Sequence, residues 1–175
     1  MMKRVLLLSA LLSAPLVAQE EQLLQNPDFE LGTANDPAPG WKITPPDAVK
    51  LVEGEAVRGN KAVALVDGYG ALTQDLSIPN LPGATVTIEF HARSTNRAHL
   101  GVRVGFSVST DNGTKWHDRP LTWDRPLNEE FTPFSFKFTI PDNAVGERLW
   151  IGFYRSKKSG EIILDDIQFH LTPKS

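Results

Sequence analysis

The sequence of 175 residues contains no cysteine. Without cysteine the protein can form no disulfide bond and carry no lipid on a thiol, so it folds on its hydrophobic core, with or without a bound metal ion. It also lacks the Gly-x-Ser-x-Gly and His-Glu-x-x-His motifs, and its four histidines do not have the spacing of metal ligands. Because the motifs of common hydrolases are missing, we predict no catalytic residues and a protein that is not an enzyme.

Basic charge and long apolar segments are scarce as well. The formal net charge is −3, and no run of lysine or arginine stands out, which disfavours nucleic acid as a partner. No segment beyond residue 18 is apolar over the roughly 20 residues that a membrane-spanning helix needs. We therefore expect neither a nucleic-acid partner nor a membrane span.

The first 18 residues predict a secretory signal peptide. Lys3 and Arg4 form a basic start, residues 5–12 form an apolar run, and Ala18 is a small residue before the cleavage point. The alternative is a membrane anchor, for which the apolar run is short. We divide the chain into a signal peptide, 1–18, and a single domain, 19–175. The mature protein is expected to be a secreted or periplasmic monomer.

An alternation of apolar and polar residues dominates the remaining sequence. It is clearest in four segments, residues 85–93, 99–109, 134–140 and 149–154. Alternation with period two is typical of antiparallel strands that bury one face. Further strands are predicted from composition at residues 48–53, 61–67, 71–78 and 160–169. No segment has the period of a helix of three turns, so the sequence predicts an all-β fold, a two-sheet antiparallel β-sandwich of the jelly-roll kind.

Two adjacent carboxylates interrupt the final predicted strand, Gly160–Phe169. Side chains alternate along a strand, so Asp165 and Asp166 are expected to point to opposite faces, one of them toward the side that carries Ile167. A buried carboxylate needs an ion pair, hydrogen bonds or a metal ion. We expect its partner in the segment 26–30, at the other end of the mature chain.

A segment rich in tryptophan, aspartate and arginine follows a predicted hairpin turn. Asn112 and Gly113 are typical of the centre of a two-residue turn. We interpret the residues that follow, 116–127, as a proline-stiffened loop with a composition suited to sugars, whose C–H faces stack on aromatic rings. The candidate ligand-binding residues in this loop are Trp123, Arg119, Arg125 and His117. The alternative is a loop that only covers the edge of the core.

The polar faces of the predicted strands offer a second location for a ligand. Trp150 and Tyr154 lie on one such face, and His91 and Arg93 on another. If these strands share a sheet, its outer face is polar with two aromatic rings. The alternative is a solvated sheet face without a ligand.

Several short motifs come in an order that resembles one family. They are Leu23–Glu30, Gly40–Trp41, Gly59–Ala62, Pro82–Arg93 and Ile163–Ile167. In this order the chain resembles the carbohydrate-binding modules of the cellulose- and xylan-binding type, within the galactose-binding-like jelly rolls. A second, local resemblance covers residues 109–116. They resemble the Asp-box hairpin, in which Asp111 and Trp116 would hold the turn.

The resemblance to these modules implies a non-catalytic protein that binds a polysaccharide or oligosaccharide. It also implies a structural calcium where the first and last strands meet, held by the side chains of Glu30 and of one or both of Asp165 and Asp166, and by carbonyls near Gly32 and Lys61. Calcium takes six to eight oxygen ligands. The alternative is that Asp165 accepts hydrogen bonds from loop backbone or pairs with an arginine.

Two other functions stay open from the sequence, because a fold does not fix a function. The protein could be a structural or protein-interaction domain of the cell envelope, since it stands without a catalytic domain. A small hydrolase or lyase is the third alternative.

Overall fold

The computed structural model describes residues 23–66, 70–79, 81–156 and 160–174. The predicted signal peptide lies outside these residues. They form ten β-strands and no helix: β1 (Lys42–Thr44), β2 (Val49–Glu53), β3 (Lys61–Leu65), β4 (Ala71–Ser77), β5 (Thr85–Ser94), β6 (His99–Thr110), β7 (Gly113–Pro126), β8 (Thr132–Thr139), β9 (Ala144–Arg155) and β10 (Ile162–Thr172). Within the described ranges, nothing helical is long and apolar enough to cross a membrane.

The ten strands form two antiparallel sheets of five. Sheet A has the order β1-β4-β9-β6-β7, and sheet B has the order β2-β3-β10-β5-β8. Neighbouring strands within a sheet are mostly distant in sequence, and consecutive strands often lie in different sheets, as in a jelly roll. The predicted all-β, two-sheet antiparallel β-sandwich is confirmed.

The inner faces of the two sheets form one hydrophobic core. Strand β6 places Leu100, Val102, Val104 and Phe106 in it, at alternate positions. Phe90 of β5 packs edge-to-face on Phe153 of β9, with ring centroids 5.0 Å apart, and so joins the two sheets. Each such buried side chain stabilises the fold by about 1.5–3 kcal/mol.

Each of the eight segments predicted as strands overlaps a strand of the structure, whereas β1 and β7 were not predicted. The interpretation of 116–127 as a loop is wrong, because residues 116–126 belong to β7, which pairs with β6 with two interruptions. Pro120 and Pro126 suggested a loop, since proline cannot donate a hydrogen bond. They are tolerated because β7 lies at the edge of sheet A and needs partners on one side only.

The turn between β6 and β7 is one residue earlier than predicted. Asp111 and Asn112 form the connection, and Thr110 pairs with Gly113. Gly113 has a φ of +98° and lies just after the turn. A glycine in this position is typical of hairpins whose turn is followed by a bulge.

A bulge in β10 places Asp166 on the same face as Asp165, which regular alternation already directs outward. Asp165 pairs with His91, but the next pair is Gln168 with Glu89, so β10 has one residue too many for its neighbour. Asp166 has a φ of +50°, which aspartate tolerates better than most residues. Both carboxylates therefore lie on the outer face of sheet B, and the expectation that they point to opposite faces is wrong.

Asp165 is completely buried because the loop 54–60 covers it. Its Oδ2 accepts hydrogen bonds from the backbone N–H groups of Val57 (2.6 Å) and Arg58 (2.9 Å), and its Oδ1 accepts one from Asp166 (2.7 Å). Burial raises the pKa of Asp165, and these three N–H groups oppose that shift. The carboxylate's partners thus lie in the loop 54–60. The expected segment 26–30 meets β10 elsewhere, where Pro27 O accepts from the Ile167 N–H (3.0 Å).

We expect Asp165→Asn to lower the free energy of unfolding by about 2–3 kcal/mol, because an amide NH₂ would face backbone donors that then lack an acceptor. Asp166→Asn is the matched control. Asparagine also tolerates a positive φ, and the contacts that weaken, with Arg58 at 3.5 Å and with His91 at 3.6 Å, are longer than the hydrogen bonds of Asp165. We expect it to cost less than about 1 kcal/mol. Urea unfolding followed by tryptophan fluorescence measures both, and equal losses would contradict the proposed role of Asp165.

Candidate functional site

Four aromatic side chains lie together on the outer face of sheet A. They are Trp116 and Trp123 of β7 and Trp150 and Tyr154 of β9. Trp116 and Trp123 are 45% and 60% exposed, unusually high values for the largest apolar side chain. Trp150 and Tyr154 form a tilted pair with ring centroids 5.9 Å apart. We call these four residues the aromatic face.

Glycines let the rings of the aromatic face lie on the sheet. Gly105 of β6 lies beneath the ring of Trp116, where a Cβ would collide with the indole. Gly101, four residues away on the same strand, lies against Trp123, and its Cβ would be 3.4 Å from the ring. The missing side chains leave a floor on β6 between aromatic walls on β7 and β9.

A break in the pairing of β7 brings the two exposed tryptophans to one face. Trp116 and Trp123 are an odd number of residues apart, so strict alternation would place them on opposite faces. Pro120 pairs with Arg103, but Thr122 pairs with Val102, which inserts one extra residue into β7. The inserted residue restores Trp123 to the side of Trp116.

Beside each exposed tryptophan lies an arginine that also forms an ion pair with an aspartate. The guanidinium of Arg148 lies 5.0 Å from the ring centroid of Trp116, and its Nε donates to Asp75 Oδ1 at 2.7 Å. A second such unit joins Trp123, Arg103 and Asp118.

In this second unit the Arg103 guanidinium lies 5.4 Å from the ring centroid of Trp123, and its Nη2 is 2.7 Å from Asp118 Oδ2. Cation–π contacts and ion pairs restrict the motion of both partners. The two indole rings are thus partly ordered without a ligand.

Part of the aromatic face forms a cleft, and the exposed ring of Trp123 continues the aromatic surface beyond it; we call the two together the groove. A cleft of about 470 Å³ opens between Trp116, Asp118, Arg148, Trp150 and Tyr154. Gly101 and Gly105 are four residues apart, which corresponds to about 13 Å along a strand. This distance separates the two tryptophan positions and exceeds the width of a single sugar ring.

Two side chains of the groove, Tyr154 and Arg148, have a raised pKa. Burial raises the pKa of Tyr154 to about 12, so its hydroxyl remains a hydrogen-bond donor. The hydrogen bond to Asp75 raises the pKa of Arg148, which stays protonated. The groove therefore offers fixed donors and acceptors beside its aromatic rings.

The structure divides the sequence-predicted ligand-binding residues into three groups. Trp123, Trp150 and Tyr154 belong to the aromatic face. His117, Arg119 and Arg125 lie on the other side of β7, where they cover the edge of the core. Their rings or guanidinium groups contact buried phenylalanines, His117 at 5.2 Å from Phe106, Arg119 at 5.6 Å from Phe138 and Arg125 at 5.0 Å from Phe134.

His91 and Arg93 form the third group, on the outer face of sheet B. His91 Nδ1 lies 3.6 Å from an oxygen of Asp166, and Arg93 is paired with Glu55. The whole thickness of the sandwich separates them from the aromatic face, so they do not join it.

Five residues of the groove are absent from the ligand-binding residues predicted from the sequence, namely Trp116, Arg103, Asp118, Arg148 and Asp75. Trp116 was interpreted as the residue that holds an Asp-box turn, but it lies across Gly105 instead. Asp118 was placed in a loop, because the strand character of β7 was not recognised. Gly101 and Gly105 are four residues apart and therefore lie on the same face of β6. Two glycines on one face of a strand are a sequence signal that a ring covers this strand.

Glu30, Gly32 and Lys61 meet at one point, as the expected calcium site requires. Glu30 Oε1 accepts from the N–H groups of Asn60 and Lys61, both at 2.7 Å. Lys61 Nζ donates to the carbonyl oxygens of Glu30 (3.1 Å) and Gly32 (2.9 Å). Within the described ranges, no three acidic or histidine side chains gather as a metal site, so Asp165 and Asp166 do not complete a carboxylate cluster with Glu30.

No protein-family model and no curated protein matches the sequence. Among solved structures, a family 16 carbohydrate-binding module shares the fold at 18% identity with a TM-score of 0.65, over 84% of this chain and 98% of the module. A xylan-binding domain of Paenibacillus barcinonensis matches at 14% identity and a TM-score of 0.64, over 89% of this chain and 97% of that one.

The enzymatically active domain of a tailspike protein from bacteriophage CBA120 also matches, at 17% identity and a TM-score of 0.63. The match covers 86% of this chain but 21% of the tailspike chain. At these identities the comparisons establish the fold. The resemblance to carbohydrate-binding modules is confirmed at that level.

We expect the Glu30→Gln variant to lose less stability in acid than the wild type does. The two backbone N–H groups lower the pKa of Glu30 below its ordinary 4.5. The stability that this shift adds is present above pH 4.5 and is lost as the pH falls through the lowered value. The variant lacks this contribution, so its Tm is expected to fall less between pH 6 and pH 3 than the Tm of the wild type. Thermal unfolding followed by circular dichroism, at intervals of about 0.5 pH unit, measures both Tm values.

Glu129→Gln, which changes an exposed glutamate, is the control for the Glu30 variant. It is expected to keep the wild-type profile. Parallel profiles for the wild type and Glu30→Gln would show that the Glu30 carboxylate does not contribute in this way.

Proposed function

We propose that the protein is a non-catalytic carbohydrate-binding module, which binds a polysaccharide or oligosaccharide on the aromatic face. The observation that carries this proposal is the cluster of Trp116, Trp123, Trp150 and Tyr154 on one solvent-facing groove. A single exposed tryptophan is ordinary, whereas a contiguous exposed patch marks an interaction site. The fold shared with carbohydrate-binding modules supports the same conclusion.

The chemistry of the groove suits a sugar chain. The C–H groups of a pyranose ring form an apolar face that can stack on an indole, and its hydroxyls need hydrogen-bond partners at the rim. The groove provides two arginines, two aspartates and the Tyr154 hydroxyl around the rings. This combination of apolar surface and a few placed polar groups is typical of small-molecule sites.

The carboxylates do not favour catalysis. Cleavage of a glycosidic bond needs two carboxyl groups roughly 5–10 Å apart on either side of the bond. Glu89 and Asp118 lie on the outer faces of sheets B and A and so on opposite sides of the sandwich. Asp118 is moreover held by Arg103.

We further propose that the protein acts outside the cytoplasm, as the predicted signal peptide of residues 1–18 indicates. Polysaccharides are encountered there, and the absence of cysteine in the sequence is compatible with an oxidising compartment. A monomer is sufficient for this function, since the groove is formed by one chain.

Saccharide binding is tested first on soluble and insoluble xylan, cellulose, mannan and galactan, by pull-down and calorimetry. We expect at least one to bind the wild type. We expect Trp116→Ala and Trp123→Ala each to weaken that binding by about tenfold or more, because loss of a central aromatic contact costs about 1.4 kcal/mol or more.

The Arg119→Ala variant distinguishes the aromatic face from the ligand site predicted from the sequence, which includes Arg119. Arg119 lies on the far side of β7, so its removal is expected to leave affinity unchanged. If folded wild-type protein binds none of the polysaccharides, or if both tryptophan variants bind like the wild type, the proposed function is wrong. Absence of any binding would favour the envelope protein-interaction domain instead.

Calcium binding at Glu30 and Gly32 stays a prediction. We propose that a calcium ion there would compete with the ammonium group of Lys61. The oxygens gathered there are carbonyl and carboxylate groups, which suit Ca²⁺. Lys61 Nζ already lies on two of them, so the ammonium group and a calcium ion would compete for one position. Bound calcium would neutralise Glu30 and tie the start of the domain to β3.

We expect Lys61→Met to lower the free energy of unfolding by about 1–3 kcal/mol, because two carbonyl groups lose their donor. Calcium is expected to raise the Tm of this variant more than that of the wild type, since the competing charge is gone. Differential scanning calorimetry with millimolar calcium or with EDTA measures both effects. An equal response of the two proteins to calcium would contradict the competition.

A further inference from the structure

We propose that the ion pair of Arg103 and Asp118 selects the ligand, by binding two adjacent free hydroxyl groups on the sugar ring that lies between the two exposed tryptophans. This inference rests on the function proposed above. It adds the chemical feature that a ligand must carry, namely an unsubstituted ring at the centre of the bound segment.

Arg103 lies between the positions of the two exposed tryptophans on the aromatic face. It lies on β6 midway between the two glycines that the indole rings cover, and it points to the same outer side. Its neighbours across the sheet are Gly152 on β9 and Pro120 on β7, and neither has a side chain that can form a hydrogen bond. The polar chemistry at this level of the groove therefore comes from Arg103 and from Asp118 beside it.

The Arg103–Asp118 pair is also the better shielded of the two ion pairs in the groove. The side chains of Arg103 and Asp118 are 30% and 34% exposed, against 63% and 53% for Arg148 and Asp75. Water competes less with hydrogen bonds in a shielded position.

The contacts of Arg103 with Asp118 and with Trp123 orient its guanidinium before a ligand arrives, which lowers the entropy lost on binding. The Arg103 Nε–H is buried and has no hydrogen-bond partner in the part of the chain that the structure describes. A buried donor without an acceptor is uncommon in a folded protein. A small movement of the side chain towards a ligand oxygen would satisfy it.

The two side chains together match the chemistry of a vicinal diol. A guanidinium only donates hydrogen bonds and a carboxylate only accepts them, whereas a hydroxyl does both. One hydroxyl of the ring can therefore accept from Arg103 while its neighbour donates to Asp118. A methyl group, an ester or a branching sugar on either oxygen removes the donor or blocks the approach, and sites that require such hydrogen bonds reject analogues strongly.

The test uses xylohexaose, cellohexaose and mannohexaose, each unsubstituted and with part of its hydroxyls methylated. Calorimetry measures their dissociation constants with the wild type, Arg103→Met, Arg103→Lys and Asp118→Asn. We expect the wild type to prefer an unsubstituted hexasaccharide over its methylated form by about tenfold or more. The Arg103→Met and Asp118→Asn variants are expected to bind the unsubstituted sugar at least about tenfold more weakly and to lose most of this preference.

Arg103→Lys keeps the charge and the apolar stem, and it is expected to bind more tightly than Arg103→Met but to recover the wild-type preference only in part, since lysine lacks the planar fork. Asp142→Asn, which breaks an exposed ion pair with Lys174 away from the groove, is the matched control and is expected to bind like the wild type. If a variant does not fold, the preference of the wild type for the unsubstituted over the methylated hexasaccharide still tests the inference.

Failure of the inference differs from failure of the proposed function. If no hexasaccharide and no polysaccharide binds the wild type, both are wrong. If a hexasaccharide binds and binding depends on Trp116 and Trp123, the function stands. The inference is then overturned by a wild type that binds methylated and unmethylated forms equally, or by Arg103→Met and Asp118→Asn variants with wild-type affinity.

Discussion

The pleat of the two β-sheets is the constraint on which the rest of the structure depends. Because each sheet buries one face, every second side chain is committed to the core, and the others must meet solvent or a ligand. Two interruptions of this alternation place the groups of interest. One extra residue in β7 brings Trp123 to the side of Trp116, and the bulge at Asp166 turns that aspartate to the outer face, which Asp165 already shares.

The sequence allowed the fold to be predicted because alternation repeats in many segments and each repetition supports the same architecture. Trp150 and Tyr154 could be placed on a sheet face for the same reason. Trp116 and Trp123 could not be joined from sequence, since their separation is odd and a bulge leaves no reliable local signal. Their strand was also concealed by Pro120 and Pro126, which an edge strand tolerates.

The expected metal residues illustrate a different limit. The family resemblance named Glu30, Gly32 and Lys61 as calcium ligands, and in the structure these three residues are in contact. Sequence patterns do not tell whether a lysine contributes its carbonyl or its ammonium group at such a point. The same holds for Asp165, whose hydrogen bonds come from backbone groups that have no signature in composition.

Strand β7 is hydrogen-bonded on one side only, and most of its length is exposed. Elements with few buried contacts open locally at a lower free energy than the core. We therefore expect the strand that carries Trp116 and Trp123 to open at a lower free energy than the strands at the centre of the sheets. A ligand that spans from this strand to β9 would close that opening, so occupancy of the groove would be recorded as slower amide exchange along β7.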